Sequence, residues 1–204
     1  MSIEETAVSG AFRIVPERFP DHRGVSLEMF KSGALTEVIG HPFRIGQFYC
    51  STSRRNTLRG IHSTALPPGQ EKIVTCVRGA VLDVVVDLRV GSPGFGQFDV
   101  TAMDGASGVS VYLADGLGHA FLTLTDDACM AYLCSTEYVH GTMIEVNALD
   151  SALRLPWGLS EPPIMSAKDA AAPSLAEAQA AGLLPGYEEC LTFAERLAHG
   201  DVLS

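Results

Sequence analysis

The sequence has little positive charge and lacks any long apolar run. Its 204 residues include 14 Lys or Arg against 24 Asp or Glu, which gives a formal net charge of -10. Because nucleic-acid affinity rests on neutralising phosphates with Lys and Arg, nucleic-acid binding is disfavoured, although a few local cations can hold a single nucleotide. No segment is apolar for long enough to cross a membrane as a helix, and the opening MSIEETAVSG has neither the basic start nor the apolar stretch of a secretion signal. We therefore expect a cytoplasmic protein that engages neither nucleic acid nor membrane.

Cysteine is scarce and lacks the spacing of a zinc site. The sequence contains Cys50, Cys76, Cys129, Cys134 and Cys190, an odd number without a regular pattern. This pattern favours reduced, mostly buried side chains that act as small hydrophobes, in preference to a disulfide framework or a catalytic thiol.

Short β-like runs separated by turn residues fill the chain from Phe12 to Leu149. The chain has 47% hydrophobic residues, with Gly 20 and Pro 11, which suits one domain of many short strands. The clearest hairpin runs from Lys72 to Arg89 around Arg78-Gly79. In its second strand Leu82, Val84, Val86 and Leu88 share one face, and Val81, Asp83, Val85 and Asp87 share the other. The second face either lines a cavity or meets solvent, and the strand spacing predicts a sandwich or barrel.

The last quarter of the sequence has a different pattern. A proline-rich stretch leads to two predicted helix starts, at the capping boxes Ser174 to Glu177 and Thr192 to Glu195, with Gly182 and Gly200 as stops. We predict a single domain over residues 1–204, with a β core at about 12–150 and a helical tail at about 170–200 that wraps the core.

Several polar side chains fall at the ends of predicted strands, where a fold can bring them to one pocket. They are Arg59 and His62, then Gln70, Glu71 and Lys72, then His119, with Tyr132 and Tyr138 further on. Histidines in a β-sandwich also fit a metal-dependent cupin, an isomerase or dioxygenase. The usual pair of histidines one residue apart is missing, since Ser63 and Thr64 follow His62. Only His62, Glu71 and His119 remain as possible metal ligands. Glu71 is next to Lys72 on a predicted strand, so its side chain is expected to point to the face opposite that of Lys72.

The order of these motifs over nearly the whole chain resembles the dTDP-4-dehydrorhamnose 3,5-epimerase family. The matching positions are Arg23-Gly24, Glu28, Gln47, residues 58–62 (LRGIH), 70–72 (QEK), 83–89 (DVVVDLR), 91–96 (GSPGFG), 118–121 (GHAF), Tyr132, Tyr138 and 166–169 (SAKD). Residues 175–187 (LAEAQAAGLLPGY) are similar to the branch that makes deoxysugars of glycosylated antibiotics. The resemblance implies an all-β, cupin-like jelly roll, or double-stranded β-helix, with short C-terminal helices.

The resemblance also implies a reaction and a role for each residue. Epimerisation of a dTDP-linked 4-keto-6-deoxy sugar at C3, C5 or both needs a base, an oxyanion stabiliser and an opposite acid, without metal or redox cofactor. His62 would be the base, Asp169 its orienting partner, Lys72 the group facing the C4 oxygen, and Tyr132 the acid. Substrate contacts would come from Arg23, Glu28, Gln47, Tyr49, Arg59, Lys72, His119, Tyr138 and Lys168, with Tyr138 stacking near the thymine.

The residues near Arg23 and Glu28 reach the neighbouring subunit in this family, so we expect a homodimer. Three positions depart from the family pattern: Tyr49 where Asn is common, Ser63 where an aromatic residue is common, and Met143 where a nucleotide-contacting Glu is usual. These departures leave the acid, the base and the lysine intact but can alter the sugar or the nucleoside contacts. A relative that binds the nucleotide sugar without catalysis is the remaining alternative.

Overall fold

The computed structural model of the chain describes residues 1–199, which form two large antiparallel sheets, the two-stranded β3-β4 sheet and four helices. The strands are β1 (Ser2–Glu5), β2 (Ala11–Val15), β3 (Glu17–Asp21), β4 (Gly24–Glu28), β5 (Gln47–Ser53), β6 (Leu58–Thr64), β7 (Lys72–Arg78), β8 (Ala80–Asp87), β9 (Phe98–Asp104), β10 (Ser110–Leu113), β11 (Leu117–Thr123), β12 (Ala128–Cys134) and β13 (Met143–Glu145). The helices are α1 (Ser32–Ile39), α2 (Ala167–Ala170), α3 (Leu175–Ala180) and α4 (Tyr187–Ala198). Strands begin earlier than the predicted start at Phe12, because β1 is a largely exposed edge strand without an apolar alternation.

Eight consecutive strands form a jelly roll. One sheet has the order β1-β2-β10-β7-β12-β5 and the other β13-β6-β11-β8-β9. From β5 to β12 the chain alternates between the two sheets except at the β8-β9 hairpin, and β10, β11 and β12 each pair with earlier strands. This is the double Greek-key arrangement of cupins, which confirms the predicted fold class. The main core lies between the sheets and draws residues from both, including Val74, Val85, Phe121 and Met130.

The predicted hairpin from Lys72 to Arg89 is wrong, although its two-faced second strand is present. β7 and β8 follow one another at Gly79, which adopts a positive φ of 76°, but β7 pairs with β10 and β12 in the six-stranded sheet whereas β8 pairs with β9 and β11 in the five-stranded sheet. The turn therefore carries the chain from one sheet to the other, an arrangement that the alternation of two neighbouring strands does not distinguish from a hairpin. In β8, Val81 and Val85 pack between the sheets, while Val84 and Val86 pack on the outer side. Asp83 shares the inner face and is 1% exposed, so the solvent-facing interpretation of that face is wrong. The polar inner face therefore belongs to the interior of the sandwich.

The tail covers the outer face of the five-stranded sheet, as expected. Trp157, Ala178 and Leu184 join the outer core cluster there. The capping box at Ser174 and Glu177 is confirmed, and Gly182 follows the end of α3 with a φ of 67°.

The capping box predicted at Thr192 is wrong. Thr192 lies inside α4, where its Oγ1 donates to the carbonyl of Glu188, so the hydroxyl serves the helix interior. The N-cap is Gly186, whose N–H donates to the carboxylate of Glu189. The predicted stop at Gly200 lies outside the described residues.

The five cysteines are free thiols, and Cys76, Cys134 and Cys190 are buried. Burial raises the pKa of the Cys190 thiol to about 12, which agrees with a structural role for this side chain. Within residues 1–199, no helix is both long and apolar enough to cross a membrane.

Candidate active site

A cleft of 520 Å³ runs along β6, and His62, the base predicted from the sequence, lines it. Its walls come from β5, β6, β13 and the segment leading into α2. The lining residues are Thr52, Ser53, Arg54, Thr57, Leu58, Arg59, His62, Met143, Glu145, Ile164, Met165, Ser166, Lys168 and Asp169. The cleft thus gathers four of the residues selected from the sequence: Arg59, His62, Lys168 and Asp169.

His62 and Asp169 form a hydrogen-bonded pair in this cleft. His62 Nε2 lies 2.7 Å from Asp169 Oδ1, with the imidazole about one-third exposed and the carboxylate buried. Ser166 caps α2 by accepting the backbone N–H of Asp169 on its hydroxyl, which fixes the position of the carboxylate. Burial by itself would raise the pKa of Asp169, but the hydrogen bond and charge of His62 outweigh it and hold the pKa below its usual value. An ionised carboxylate on one ring nitrogen leaves the other nitrogen free to act as a base.

A second histidine and carboxylate pair lies deeper in the sandwich. His119 on β11 is in register with His62 on β6, and its Nε2 is 2.6 Å from Asp83 Oδ1 on β8. Both side chains are buried. The polar inner face of β8 therefore orients the imidazole of His119, which the sequence placed among the substrate contacts.

Tyr132 approaches His119 from the opposite sheet. The two rings meet edge to face, with centroids 6.0 Å apart. Tyr49 stacks on Tyr132 at 4.5 Å and 7° between ring planes, and the Tyr132 hydroxyl lies 3.5 Å from Ser51 Oγ. Burial raises the pKa of the Tyr132 hydroxyl well above its usual range, so the group is a neutral donor at physiological pH.

Lys72 begins β7 on the inner face that also carries Val74 and Cys76, and its side chain is buried. Burial lowers the pKa of its ammonium, and the nearby Asp115 and Cys134 act in the opposite direction. A buried cation of this kind is available to an oxygen that gains negative charge.

Glu71 points to the other face of the same sheet, as predicted. Its Oε1 accepts from the Tyr112 hydroxyl and lies 2.8 Å from His41 Nε2. The three residues considered as metal ligands, His62, Glu71 and His119, thus each have a separate partner. Within residues 1–199, no three His, Cys, Asp or Glu side chains are grouped in a way that would hold a metal.

The remaining cleft residues are held by polar contacts. Arg59 Nε donates to Ser53 Oγ at 3.0 Å. The Lys168 ammonium pairs with the carboxylate of Glu145. Outside the lining set, Gln47 Oε1 accepts the backbone N–H of Tyr138 at 2.9 Å, which places an exposed aromatic ring beside β5.

Arg23 and Glu28 do not line this cleft in the single chain. Both lie on the β3-β4 hairpin, where Arg23 pairs with Asp21 at 2.5 Å and Glu28 pairs with Lys31 at 2.6 Å. Arg23 lines a separate, shallow cleft together with neighbouring hairpin residues. The hairpin therefore carries an exposed cation away from its own His62.

The structure adds residues that the sequence analysis missed and places two departures besides Tyr49, whose ring stacks on Tyr132. Arg54 and Glu145 line the cleft, and Ser51 meets Tyr132. The strand alternation could have predicted the place of Glu145, because Glu145 is two residues after Met143 on β13 and the two side chains therefore share one face of the strand. Met143 lines the cleft, and Ser63 is buried outside the lining set.

Comparison with known proteins agrees with this geometry. The family model described as dTDP-4-dehydrorhamnose 3,5-epimerase matches residues 5–177. A dTDP-4-dehydrorhamnose 3,5-epimerase of Mycolicibacterium smegmatis is 48% identical over 97% of both chains. A solved epimerase of Mycobacterium tuberculosis superposes with a TM-score of 0.94 at 40% identity, covering 97% of this chain and 100% of that one. The 3'-monoepimerase ChmJ of Streptomyces bikiniensis, solved in complex with dTDP-quinovose, gives 0.93 at 43% identity over 96% and 99%. The chain belongs to the dTDP-4-dehydrorhamnose 3,5-epimerase family, a family of isomerases.

Proposed function

We propose that this protein epimerises a dTDP-linked 4-keto-6-deoxy-hexose at C3, C5 or both, with His62 as base and Tyr132 as acid. The observation that carries the proposal is the placement of His62, paired with Asp169 of α2, on one sheet and of Tyr132 on the other, with buried Lys72 on the same sheet as Tyr132. Family membership supports the same reaction.

The chemistry follows from the acidity of hydrogens next to a ketone. The free nitrogen of His62 removes the proton at C3 or C5, and the electron pair moves into an enolate whose negative charge rests on the C4 oxygen. Asp169 keeps the imidazole in one tautomer and stabilises the imidazolium that forms. Lys72 stabilises the enolate oxygen by charge and hydrogen bonding in a site that excludes water.

Inversion needs a proton from the other face of the planar enolate. Tyr132 supplies it, because its hydroxyl is neutral and lies on the opposite sheet from His62. The tyrosinate left behind takes a proton from solvent, and the imidazolium of His62 returns its proton to solvent, before the next turnover. His119, oriented by Asp83, is in register with His62 and contacts the ring of Tyr132, so its imidazole holds the sugar at the level of the reacting carbons.

Nucleotide binding uses the polar residues around the cleft. Arg59 and Lys168 meet the diphosphate or the nucleoside, and Tyr138 offers an exposed ring for stacking on thymine, with Gln47 fixing its backbone. We further propose a homodimer in which Arg23 and Glu28 of the partner subunit complete each site. The exposed position of Arg23 on a projecting hairpin, away from its own His62, supports this arrangement.

Solvent deuterium uptake tests the proposal directly. The purified protein is incubated with dTDP-4-keto-6-deoxyglucose in deuterium oxide, and proton NMR follows C3 and C5. Exchange and inversion at one or both carbons, unaffected by exhaustive chelation, is the expected result and also identifies the carbon. Chelator-sensitive turnover would indicate a metal-dependent cupin instead. Binding of dTDP without exchange would indicate a non-catalytic relative.

A further inference from the structure

The carboxylate of Glu145 lies in the cleft beside the base and takes no part in the reaction described above. In the pairing of β13 with β6, Glu145 is directly opposite His62. Residues opposite each other on antiparallel strands have Cβ atoms about 5 Å apart and project from the same face. Both side chains line the cleft, so a sugar held against His62 also lies within reach of Glu145.

The carboxylate of Glu145 is paired with the cation of a neighbouring residue. Its partner is the ammonium of Lys168, and the Glu145 side chain is only 18% exposed whereas that of Lys168 is 63% exposed. The hydrogen bond to Glu145 raises the pKa of Lys168, so the ammonium of Lys168 stays charged at physiological pH. The lining set contains one other carboxylate, Asp169, which already interacts with His62 and with the backbone of Gly60. Lys168 pairs with Oε1 of Glu145, so among the described residues that line the cleft Glu145 is the carboxylate with an oxygen, Oε2, left to accept from a ligand.

A carboxylate in this position has to meet a hydrogen-bond donor on the substrate. An acceptor cannot face the diphosphate, because both groups are negative. The donors near the reacting carbons of a 4-keto-6-deoxy-hexose are its hydroxyls at C2 and C3. The C3 hydroxyl changes direction when C3 is inverted, so a fixed acceptor for it would resist the reaction. The C2 hydroxyl keeps its direction throughout.

We propose that Glu145 is a specificity-determining residue that accepts a hydrogen bond from the C2 hydroxyl of the keto sugar and thereby selects sugars that retain this hydroxyl over 2-deoxy sugars. The inference rests on the proposed epimerisation. Lys168 holds the carboxylate in place from the mouth of the cleft. A site built around a substrate hydroxyl discriminates against the analogue that lacks it, because the acceptor is left without a donor.

Initial rates of deuterium incorporation test this proposal with two substrates. They are dTDP-4-keto-6-deoxyglucose and dTDP-4-keto-2,6-dideoxyglucose, each with wild type, Glu145→Ala and Glu145→Gln. Wild type is expected to prefer the C2-hydroxyl sugar by about 10- to 100-fold in kcat/KM. Glu145→Ala should remove that preference, and Glu145→Gln should keep part of it because the amide oxygen still accepts. Glu37→Gln, which removes one exposed charge from α1, is the matched control and should retain the wild-type preference.

Two results would overturn the proposal. A preference unchanged in Glu145→Ala would show that the carboxylate does not meet the C2 hydroxyl. An equal loss of kcat/KM for both sugars, matched by Lys168→Met, would mean that Glu145 acts only by holding Lys168. Calorimetric titration with dTDP confirms that each variant is folded and binds nucleotide. Wild type that turned over neither sugar would remove the proposed function itself, whereas active wild type without a preference would remove only the role of Glu145.

Discussion

Asp169 and His62 are 107 positions apart in the sequence and 2.7 Å apart in the structure. The carboxylate comes from a helix of four residues in the tail, and the imidazole comes from the middle of a strand in the jelly roll. Ser166 holds the helix start, and the tail packs on the outer face of the sheet that carries His62. The pair therefore depends on the docking of the tail onto the β core.

Replacing His62 by Asn should abolish deuterium exchange at every carbon, because the group that removes the proton is gone. Affinity for dTDP should change little, since the cations and the aromatic ring proposed to hold the nucleotide are elsewhere. NMR exchange and calorimetric titration measure the two effects. Exchange at the wild-type rate in this variant would remove His62 from the role of base.

Asp169→Asn should lower kcat by about 10²-fold, less than the loss of the base itself, because the amide misorients the imidazole without deleting it.

Asp169→Asn should also change how the free energy of unfolding depends on pH. The folded pKa of Asp169 is below its usual value of 3.8, so the ionised carboxylate stabilises the fold above that pH and loses this effect as pH falls through the folded pKa. Urea unfolding at pH 7 and pH 3 should show a destabilisation by Asp169→Asn at pH 7 that shrinks at pH 3. An equal difference at both pH values would contradict the ionised pair.

Lys72→Met should reduce kcat by about 10²-fold, on the order of 3 kcal/mol of transition-state stabilisation, with a smaller effect on KM. The same change should raise the free energy of unfolding at pH 7 by on the order of 1 kcal/mol, because a buried ammonium is replaced by an apolar side chain of similar shape.

The pH dependence of this stability gain follows from the burial of the Lys72 ammonium. The folded pKa of Lys72 is lowered from 10.5, so the cost of burying the charge is full below the folded pKa and disappears as pH approaches 10.5. The gain from Lys72→Met should therefore shrink between neutral and alkaline pH in thermal unfolding. In the kinetic measurement, a Lys72→Met effect confined to KM would instead assign Lys72 to substrate binding.

Tyr132→Phe should separate exchange from inversion. His62 can still remove a proton and return deuterium from the same side, so exchange should continue while epimerisation falls by about 10²–10⁴-fold. The phenyl ring keeps the stack with Tyr49 and the edge contact with His119, which makes a folding defect a poor explanation. NMR distinguishes the two products.

Two further variants, Ser51→Ala and Tyr138→Phe, test whether Tyr132 is the acid. Ser51→Ala removes the polar neighbour of the Tyr132 hydroxyl and should have a smaller effect on inversion. Inversion at the wild-type rate in Tyr132→Phe would transfer the acid role to another group, and Tyr138→Phe would then test the next candidate. Equal loss of exchange and inversion would mean that Tyr132 acts before the enolate forms.

Mixing two inactive variants tests whether the partner subunit contributes to the site. Arg23→Ala and His62→Asn each disable both sites of a homodimer if Arg23 serves the neighbouring subunit. After random reassociation, one site in each hybrid has wild-type His62 and wild-type Arg23, so about a quarter of wild-type activity should return. Analytical ultracentrifugation of the mixture checks the dimer. Absence of recovery in hybrid dimers would place Arg23 in the site of its own chain, or outside the site.

Local sequence patterns were sufficient to predict which residues share a strand face, where one helix begins and which residue types form the site. Period-two alternation along β8 separates Val84 and Val86 from Asp83, and the Ser174–Glu177 capping box fixes the start of α3, because both signals act between residues close in the chain. The order of the motifs was sufficient to predict the family and the jelly roll, which the comparisons confirm.

Which of those residues contact one another follows from long-range packing. The partner of His62, the pairing of His119 with Asp83 and the place of Glu145 opposite His62 depend on strand register and on where the tail docks. Local alternation fixes which face of a strand a side chain occupies but not which residue of another strand lies opposite. Thr192 illustrates the same limit at short range, since its pattern suits a helix start while the packing of α4 places it mid-helix. Long-range packing free energy, which no local pattern encodes, selects among these arrangements.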